Sequence, residues 1–228
     1  MKKLIITLGL SGIALIVGLY AKRKFDTPTH QFKYAVKRVV DLRDSDSIND
    51  GDIIFQTSLS QQSKAIQLAT HSKYSHCGLI FKRKSGQDNW CVLEAVQPVK
   101  WTPLTEWISR GKDGHFVIKR LTTDSMITKP MLHELRQIAE GYIGKNYDIH
   151  FDWSDDKIYC SELVWKSFYK MNKFELGALQ NLGDFDLSHE GVRKKLKERY
   201  GDKIPMDEKV ISPEAIFNSS LLKTVKSN

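Results

Sequence analysis

The chain has 228 residues, 41% hydrophobic and 27% charged, which is enough for one large domain or two small ones with a buried core. Five of its eight net positive charges belong to residues 1–24, which hold no acidic residue, so the remainder carries only +3. This distribution argues against a nucleic-acid-binding protein, because such a protein needs a clustered basic face on its folded domain.

Residues 1–24 are predicted to be a membrane anchor or a secretory signal. "MKK" is followed by 18 uncharged residues and then by "KRK", a pattern typical of both segments. Ala21 suits the last position before a cleavage site, but Leu19 suits the third-last position poorly, which favours an uncleaved anchor. Basic residues on both flanks leave the orientation open, with the periplasmic side favoured. We therefore expect a membrane-anchored or exported protein of the cell envelope.

The rest of the chain divides into residues 25–49, a predicted linker and amphipathic helix over 31–42, and residues 50–228, the predicted main domain. Apolar alternation bounded by turn residues predicts strands at 52–55, 74–81, 89–97 and 115–121. Helical spacing and caps predict helices at 58–72, 102–111 and 130–143, a helix beginning near Cys160, and further helices at 190–199 and from 212 onwards. Strands in the middle with helices around them indicate an α+β fold with a small antiparallel sheet.

Two helix starts depend on particular caps. Ser58 or Ser60 is expected to cap the helix at 58–72. In the helix at 102–111, Thr102 is the expected cap and Pro103 the first helical residue.

A cysteine stands where the helix after "DDKIY" begins. The unpaired N–H groups at a helix N-terminus carry about half a positive charge, so a thiolate at Cys160 is stabilised there and its pKa is lowered. The alternative is a small buried hydrophobic residue, which is the usual role of an unreactive cysteine. A nucleophilic role therefore requires a base and a partner that orients the base.

His76, early in the second predicted strand, is the candidate base, and His115 is its best rival because it also opens a strand. Alternation along "NWCVLEAVQ" places Glu94 on an otherwise apolar face, where a charge is costly unless it is paired. A hairpin with its turn at Ser85 and Gly86 would set His76 directly opposite Glu94. A shift of one residue would instead turn Glu94 to the other face.

Two other uses of the cysteines stay open at this point. Cys77 and Cys91 could form a disulfide in an exported domain, although their spacing does not demand one. His71, His76 and Cys77 could bind zinc, although the usual paired spacings are absent. We expect a reaction that needs no metal and no other cofactor.

Five motifs in combination resemble the YiiX/YaeF-type permuted papain-like amidases, a branch of the NlpC-like cysteine hydrolases. They lie in the family's order and spacing between about residues 50 and 218. The motifs are "GDIIFQTSLSQQSKAIQLATHSKYSHCGLIF", "VLEAVQPVKWTPLTEWI", "GKNYD", "FDWSDDKIYCSELVWKSF" and "VISPEAIF". In that family the histidine strand precedes the cysteine helix, the reverse of the papain order, and here His76 precedes Cys160. The resemblance implies a circularly permuted papain-like (NlpC-like) α+β fold with the nucleophile at a helix N-terminus.

The resemblance also implies roles for the site residues. Cys160 would be the nucleophile, His76 the base and Glu94 the orienting acid. The N–H of Cys160 would help to bind the oxyanion, and Tyr159 would be a further oxyanion or substrate contact. The implied activity is hydrolysis of an amide or ester through an acyl-enzyme.

The expected substrate is a cell-envelope peptide, a lipopeptide or an acyl-lipid. The expected partners are that substrate and the membrane, which residues 1–24 would contact. Nucleic acid is not an expected partner. Two alternatives stay open: an acyltransferase that uses the same Cys–His pair, and a non-catalytic binding module of the envelope.

Overall fold

The structure is a computed structural model that describes residues 30–45, 47–83, 89–122 and 127–228. The predicted anchor or signal at 1–24 and the predicted turn at Ser85 and Gly86 lie outside these residues. Within the described ranges, no helix is both long enough and apolar enough to cross a membrane.

The described residues form one central antiparallel sheet of six strands. These are β1 (Ile53–Gln56), β2 (His76–Lys82), β3 (Trp90–Glu94), β4 (Lys100–Pro103), β5 (Val117–Leu121) and β10 (Leu222–Ser227). Their spatial order is β10-β5-β1-β2-β3-β4, and each neighbouring pair is antiparallel. Strands β1, β2, β3 and β5 confirm the predicted positions. The two edge strands, β4 and β10, were not predicted because they are short or largely exposed and lack a continuous apolar pattern.

Four further strands of two residues each form two small sheets beside the main one. They are β6 (Asn146–Tyr147), β7 (Lys157–Ile158), β8 (Gln180–Asn181) and β9 (Lys209–Val210). Strand β6 pairs with β7 in parallel, and β8 pairs with β9 in antiparallel orientation. The β6–β7 pair leads directly into the helix that begins at Cys160.

Helices cover both faces of the main sheet. They are α1 (residues 30–44), α2 (Gln61–Thr70), α3 (Leu104–Arg110), α4 (Lys129–Glu140), α5 (Cys160–Asn172), α6 (Glu190–Tyr200) and α7 (Pro213–Phe217). One core, between the sheet and α4 and α5, includes Phe55, Leu79 and Leu163. The core on the opposite face, with α1 and α3, includes Ile80 and Trp107. The predicted α+β fold is confirmed.

Helix starts follow the sequence signals in two places and depart from them in a third. Ser60 accepts a hydrogen bond from the Ser63 N–H and caps α2, and Ser212 caps α7 in the same way. The prediction that Thr102 caps α3 is wrong, because Thr102 belongs to β4 and Pro103 is the cap residue. The Thr102 hydroxyl instead points to a buried carboxylate across the β3–β4 pair.

The pairing of β2 with β3 also differs from the prediction. Leu79 lies opposite Leu93 and Lys82 opposite Trp90, so the predicted pairing of His76 with Glu94 is wrong by two residues. Because side chains alternate with a period of two, a two-residue shift keeps His76 and Glu94 on the same face as diagonal neighbours. Gly78 lies between them, where an added Cβ would come within 3.4 Å of the Glu94 Cβ.

Candidate active site

Cys160 is the first residue of α5, and the polar groups behind it hold the helix start in place. The Glu162 Oε2 accepts a hydrogen bond of 3.3 Å from the Tyr159 N–H, and its Oε1 forms a 2.7 Å ion pair with Lys166. Glu162 is completely buried. This residue was missed in the sequence, although a Glu three residues into a helix is a recognised capping signal.

His76 is held between Glu94 and an aromatic ring. Its Nε2 lies 2.6 Å from the Glu94 Oε2, and its ring stacks on Trp107 with the centroids 5.9 Å apart. Since Nε2 faces the carboxylate, Nδ1 is the ring nitrogen left for Cys160, whose side chain interacts with His76 and raises the pKa of its imidazole. The structure thus brings Cys160, His76 and Glu94 together in one chain of contacts. His115, the rival base, lies elsewhere and bonds the Asn228 carbonyl through Nδ1.

Glu94 is completely buried but has several partners. The Thr102 hydroxyl donates to its Oε1 over 2.6 Å, and the Arg110 Nη2 donates to the same oxygen over 2.5 Å. Burial alone would raise the pKa of Glu94, but the hydrogen bond and charge of His76, with Arg110 and Thr102, lower the pKa to about 2. Glu94 is therefore an anion at neutral pH. Thr102 and Arg110 were missed in the sequence because only the β3–β4 pairing and α3 bring them to Glu94.

His76 and Cys160 have pKa values displaced in opposite directions. Burial would lower the pKa of His76, but the hydrogen bonds and charges of Cys160 and Glu94 raise it to about 10. The hydrogen bond from the Cys77 side chain, followed by that from His76, brings the pKa of Cys160 well below its usual value in spite of burial. Both directions favour a Cys160 thiolate paired with a His76 imidazolium, the reactive form of a cysteine nucleophile.

Two tyrosines lie beside Cys160. The Tyr159 hydroxyl accepts a 3.0 Å hydrogen bond from the Ile211 N–H, which ties it to the wall of the site. The Tyr147 hydroxyl accepts a 2.9 Å hydrogen bond from the Gln62 side chain, which leaves its own proton to donate. Tyr147 was missed in the sequence, because β6 is only two residues long and has no pattern of its own.

A mainly apolar cleft opens beside Cys160. Helices α2 and α6 form two of its walls, with Ala65, Ile66 and Leu196 among the lining residues, and Phe151 contributes another side. Lys195 and Arg199 of α6 also line the cleft. Apolar walls with a few charged groups among them are typical of small-molecule sites.

The other cysteine and histidine hypotheses find no support in the described part of the chain. Cys77 and Cys91 do not form a disulfide there. The zinc site proposed from His71, His76 and Cys77 is wrong, because His71 ends α2 and lies 3.1 Å from Asp186, while His76 is occupied by Glu94 and Cys160.

The chain matches a known protein family over most of its length. The family model described as "Permuted papain-like amidase enzyme, YaeF/YiiX, C92 family" matches residues 47–226. The chain belongs to this family. The sequence resemblance and the permuted papain-like fold are thereby confirmed, and membership of the YaeF/YiiX amidases supports a cysteine-hydrolase type of activity.

Two YiiX proteins are similar to this chain over most of its length. The uncharacterized protein YiiX of Escherichia coli (strain K12) is 49% identical over 175 residues, which are 77% of this chain and 84% of that protein. A crystal structure described as metalloprotein yiiX, from Escherichia coli O157:H7, is 48% identical with a TM-score of 0.74. That match covers 79% of this chain and 97% of the solved chain.

Proposed function

We propose that the protein is a thiol hydrolase that cleaves an amide or ester through an acyl-enzyme on Cys160. The observation that carries the proposal is the buried chain of contacts from Cys160 through His76 to the anionic Glu94, with 2.6 Å between the His76 Nε2 and the Glu94 Oε2. A nucleophile, a base and a group that orients the base are the parts that such catalysis requires.

The proposed reaction has two halves. The Cys160 thiolate attacks the substrate carbonyl carbon, and His76 then delivers its proton to the departing amine or alcohol as the carbonyl re-forms. Water next attacks the thioester carbon while His76 removes a proton from the water. Departure of the Cys160 thiolate then releases the acid. Glu94 keeps the imidazolium oriented and stabilises its charge in both halves.

Negative charge on the carbonyl oxygen needs donors beside the nucleophile. The backbone N–H of Cys160, at the positive end of α5, is the first candidate. Tyr147 is the second, because its hydroxyl accepts from Gln62 and retains a proton to donate. Tyr159 is the weaker candidate, since its hydroxyl is engaged with the Ile211 N–H and its ring forms the wall of the cleft.

The cleft favours a substrate with an apolar acyl group. Side chains of α2 and α6 form an apolar surface next to Cys160, and burying an alkyl chain there contributes about 0.8 kcal/mol for each CH₂. The Arg199 guanidinium lies 4.9 Å from the centre of the Phe151 ring, which holds a positive charge beside the cleft. We therefore propose an acylated substrate that also carries an anionic group, such as a lipopeptide or an acyl-lipid.

The cellular setting of the activity is also a proposal. The 18 uncharged residues between basic flanks in 1–24 support an envelope protein that meets its substrate at a membrane. Attachment to the membrane would keep the cleft close to acylated molecules.

A bound cation forms a separate part of the proposal. The solved Escherichia coli relative is described as a metalloprotein, and the described residues of this chain bring Asp148, His150 and Asp152 together as possible ligands. We propose that a cation bound there supplies rigidity. The thiol reaction uses only Cys160, His76, Glu94 and their neighbours.

The test is detection of the acyl-enzyme. Purified protein is incubated with p-nitrophenyl esters and N-acyl amides of increasing chain length, and intact-protein mass spectrometry is used to find an acyl adduct. The wild type and the control Cys91→Ser should release product and form an adduct on Cys160, whereas Cys160→Ala should do neither. An adduct passed to an added amine faster than to water would indicate an acyltransferase. Turnover by a folded Cys160→Ala variant, or neither turnover nor adduct in the wild type, would contradict the proposal.

A further inference from the structure

The loop between β6 and β7 gathers three metal-ligating side chains at alternate positions. Asp148 follows β6 directly, and His150 and Asp152 come two and four residues later. One ligand atom from each lies within 4.8 Å of the others. A first-row cation about 2.0–2.2 Å from each ligand spaces neighbouring ligand atoms by roughly 3–4 Å, so small side-chain adjustments would bring all three into contact with it.

Asp148 supplies an independent reason to expect a ligand. It is only 1% exposed, and its Oδ1 accepts a 2.8 Å hydrogen bond from the His150 N–H. Its Oδ2 is buried and, within the described residues, has no hydrogen-bond partner. A buried carboxylate oxygen without a partner is costly, and a cation at the cluster would satisfy it.

We propose that Asp148, His150 and Asp152 bind one first-row divalent cation, such as Mn²⁺ or Zn²⁺. Two carboxylates suit a hard cation, and the imidazole favours a transition metal over Ca²⁺ or Mg²⁺. Half-exposed His150 and exposed Asp152 leave the outer side open for water ligands. The ion adds two positive charges beside two carboxylates and so offsets the repulsion between them.

The cation would fix one wall of the cleft beside Cys160. Phe151, between two of the ligands, has a φ of 57°, a left-handed conformation that a non-glycine residue adopts rarely. Its ring packs edge-on against Tyr159 with the centroids 5.1 Å apart and lies under Arg199. The Tyr200 hydroxyl donates to the His150 carbonyl. Metal binding would therefore hold Phe151 in place by fixing the residues on both of its sides.

The test separates this site from the thiol site by using Cys160→Ser as the background. This protein is treated with a chelator, dialysed and titrated with Mn²⁺, Zn²⁺ or Co²⁺ by calorimetry, and its thermal midpoint is measured with and without each ion. We expect one ion per chain, a higher midpoint with the ion, and a Co²⁺ spectrum without a thiolate-to-metal band. Asp148→Asn and, separately, Asp152→Asn should weaken binding at least about tenfold.

Asp156→Asn is the matched control, because Asp156 is an exposed carboxylate of the same connection and should leave binding unchanged. Asp152 is exposed, so its variant keeps the test decisive even if Asp148→Asn fails to fold. The proposal is overturned if no ion binds to the Cys160→Ser protein, or if Asp152→Asn binds as tightly as Asp156→Asn. A thiolate band with Co²⁺ would also overturn it by placing the ion on a cysteine. None of these outcomes depends on hydrolase activity, so the site can fail while the proposed thiol reaction stands, or the reverse.

Discussion

Replacement of Glu94 by Gln tests the role of the buried carboxylate directly. Thr102 and Arg110 donate to the Oε1 of residue 94, so a Gln would keep its oxygen towards them and turn its NH₂ group to the His76 Nε2. That nitrogen would then have to accept, which moves the ring proton to Nδ1, the side of Cys160. His76 in this tautomer cannot take the thiol proton, and the imidazolium also loses its counter-charge.

The expected loss of rate in Glu94→Gln follows from the pKa of Glu94. Its fall from the ordinary 4.5 to about 2 corresponds to about 3 kcal/mol of favourable interaction with its partners, in which His76 has the largest share. Loss of that stabilisation in the transition state lowers the rate about a hundredfold. The wrong tautomer adds to this loss, so we expect kcat/KM to fall by about two to four orders of magnitude.

The assay must separate catalysis from stability. Esterase rates are divided by the number of reactive sites, counted with a thiol-directed probe, and the thermal midpoint is measured on the same samples. Glu106→Gln is the control, because Glu106 is an exposed carboxylate of α3 and should change neither quantity. A Glu94→Gln protein with a lower midpoint but a rate per site within about threefold of wild type would refute the orienting role, leaving Glu94 as a structural anion.

Three further outcomes are expected. As pH rises, alkylation of Cys160 should begin well below the usual thiol pKa, and ester hydrolysis should decline near pH 10, where His76 loses its proton. Alkylation that rises only near the usual thiol pKa of about 8.5 would show that the ion pair is absent. Wild-type stability should fall by about 3 kcal/mol more than that of Glu94→Gln as pH drops from 4.5 towards 2, because the stabilising anion of Glu94 is protonated in that window; parallel denaturation curves would contradict this. Ala65→Phe should fill the cleft and lower kcat/KM for long acyl esters at least tenfold while sparing acetyl esters. The exposed control Lys64→Phe should leave kcat/KM for both esters unchanged, and equal losses for both ester lengths in Ala65→Phe would refute the acyl-binding role.

Much of the candidate site was readable from local patterns. A cysteine at a helix start, a histidine at the start of a strand and a Glu on an apolar face are each visible in a few consecutive residues. The alternation along 89–97 placed Glu94 on the right face even though the predicted pairing with His76 was wrong by two residues. The prediction survived because a shift of two residues preserves which face each side chain occupies.

Local patterns along the chain were enough to predict the helix and strand positions around Cys160 and His76, and they carried the family resemblance. The β2–β3 register, the contact of Arg110 with Glu94 and the apolar cleft between α2 and α6 became visible only in the folded chain. Periodicity along the chain specifies which face of an element is apolar, because it depends on neighbours a few residues apart. Contacts between elements distant in sequence depend instead on how all the side chains pack together in the folded core.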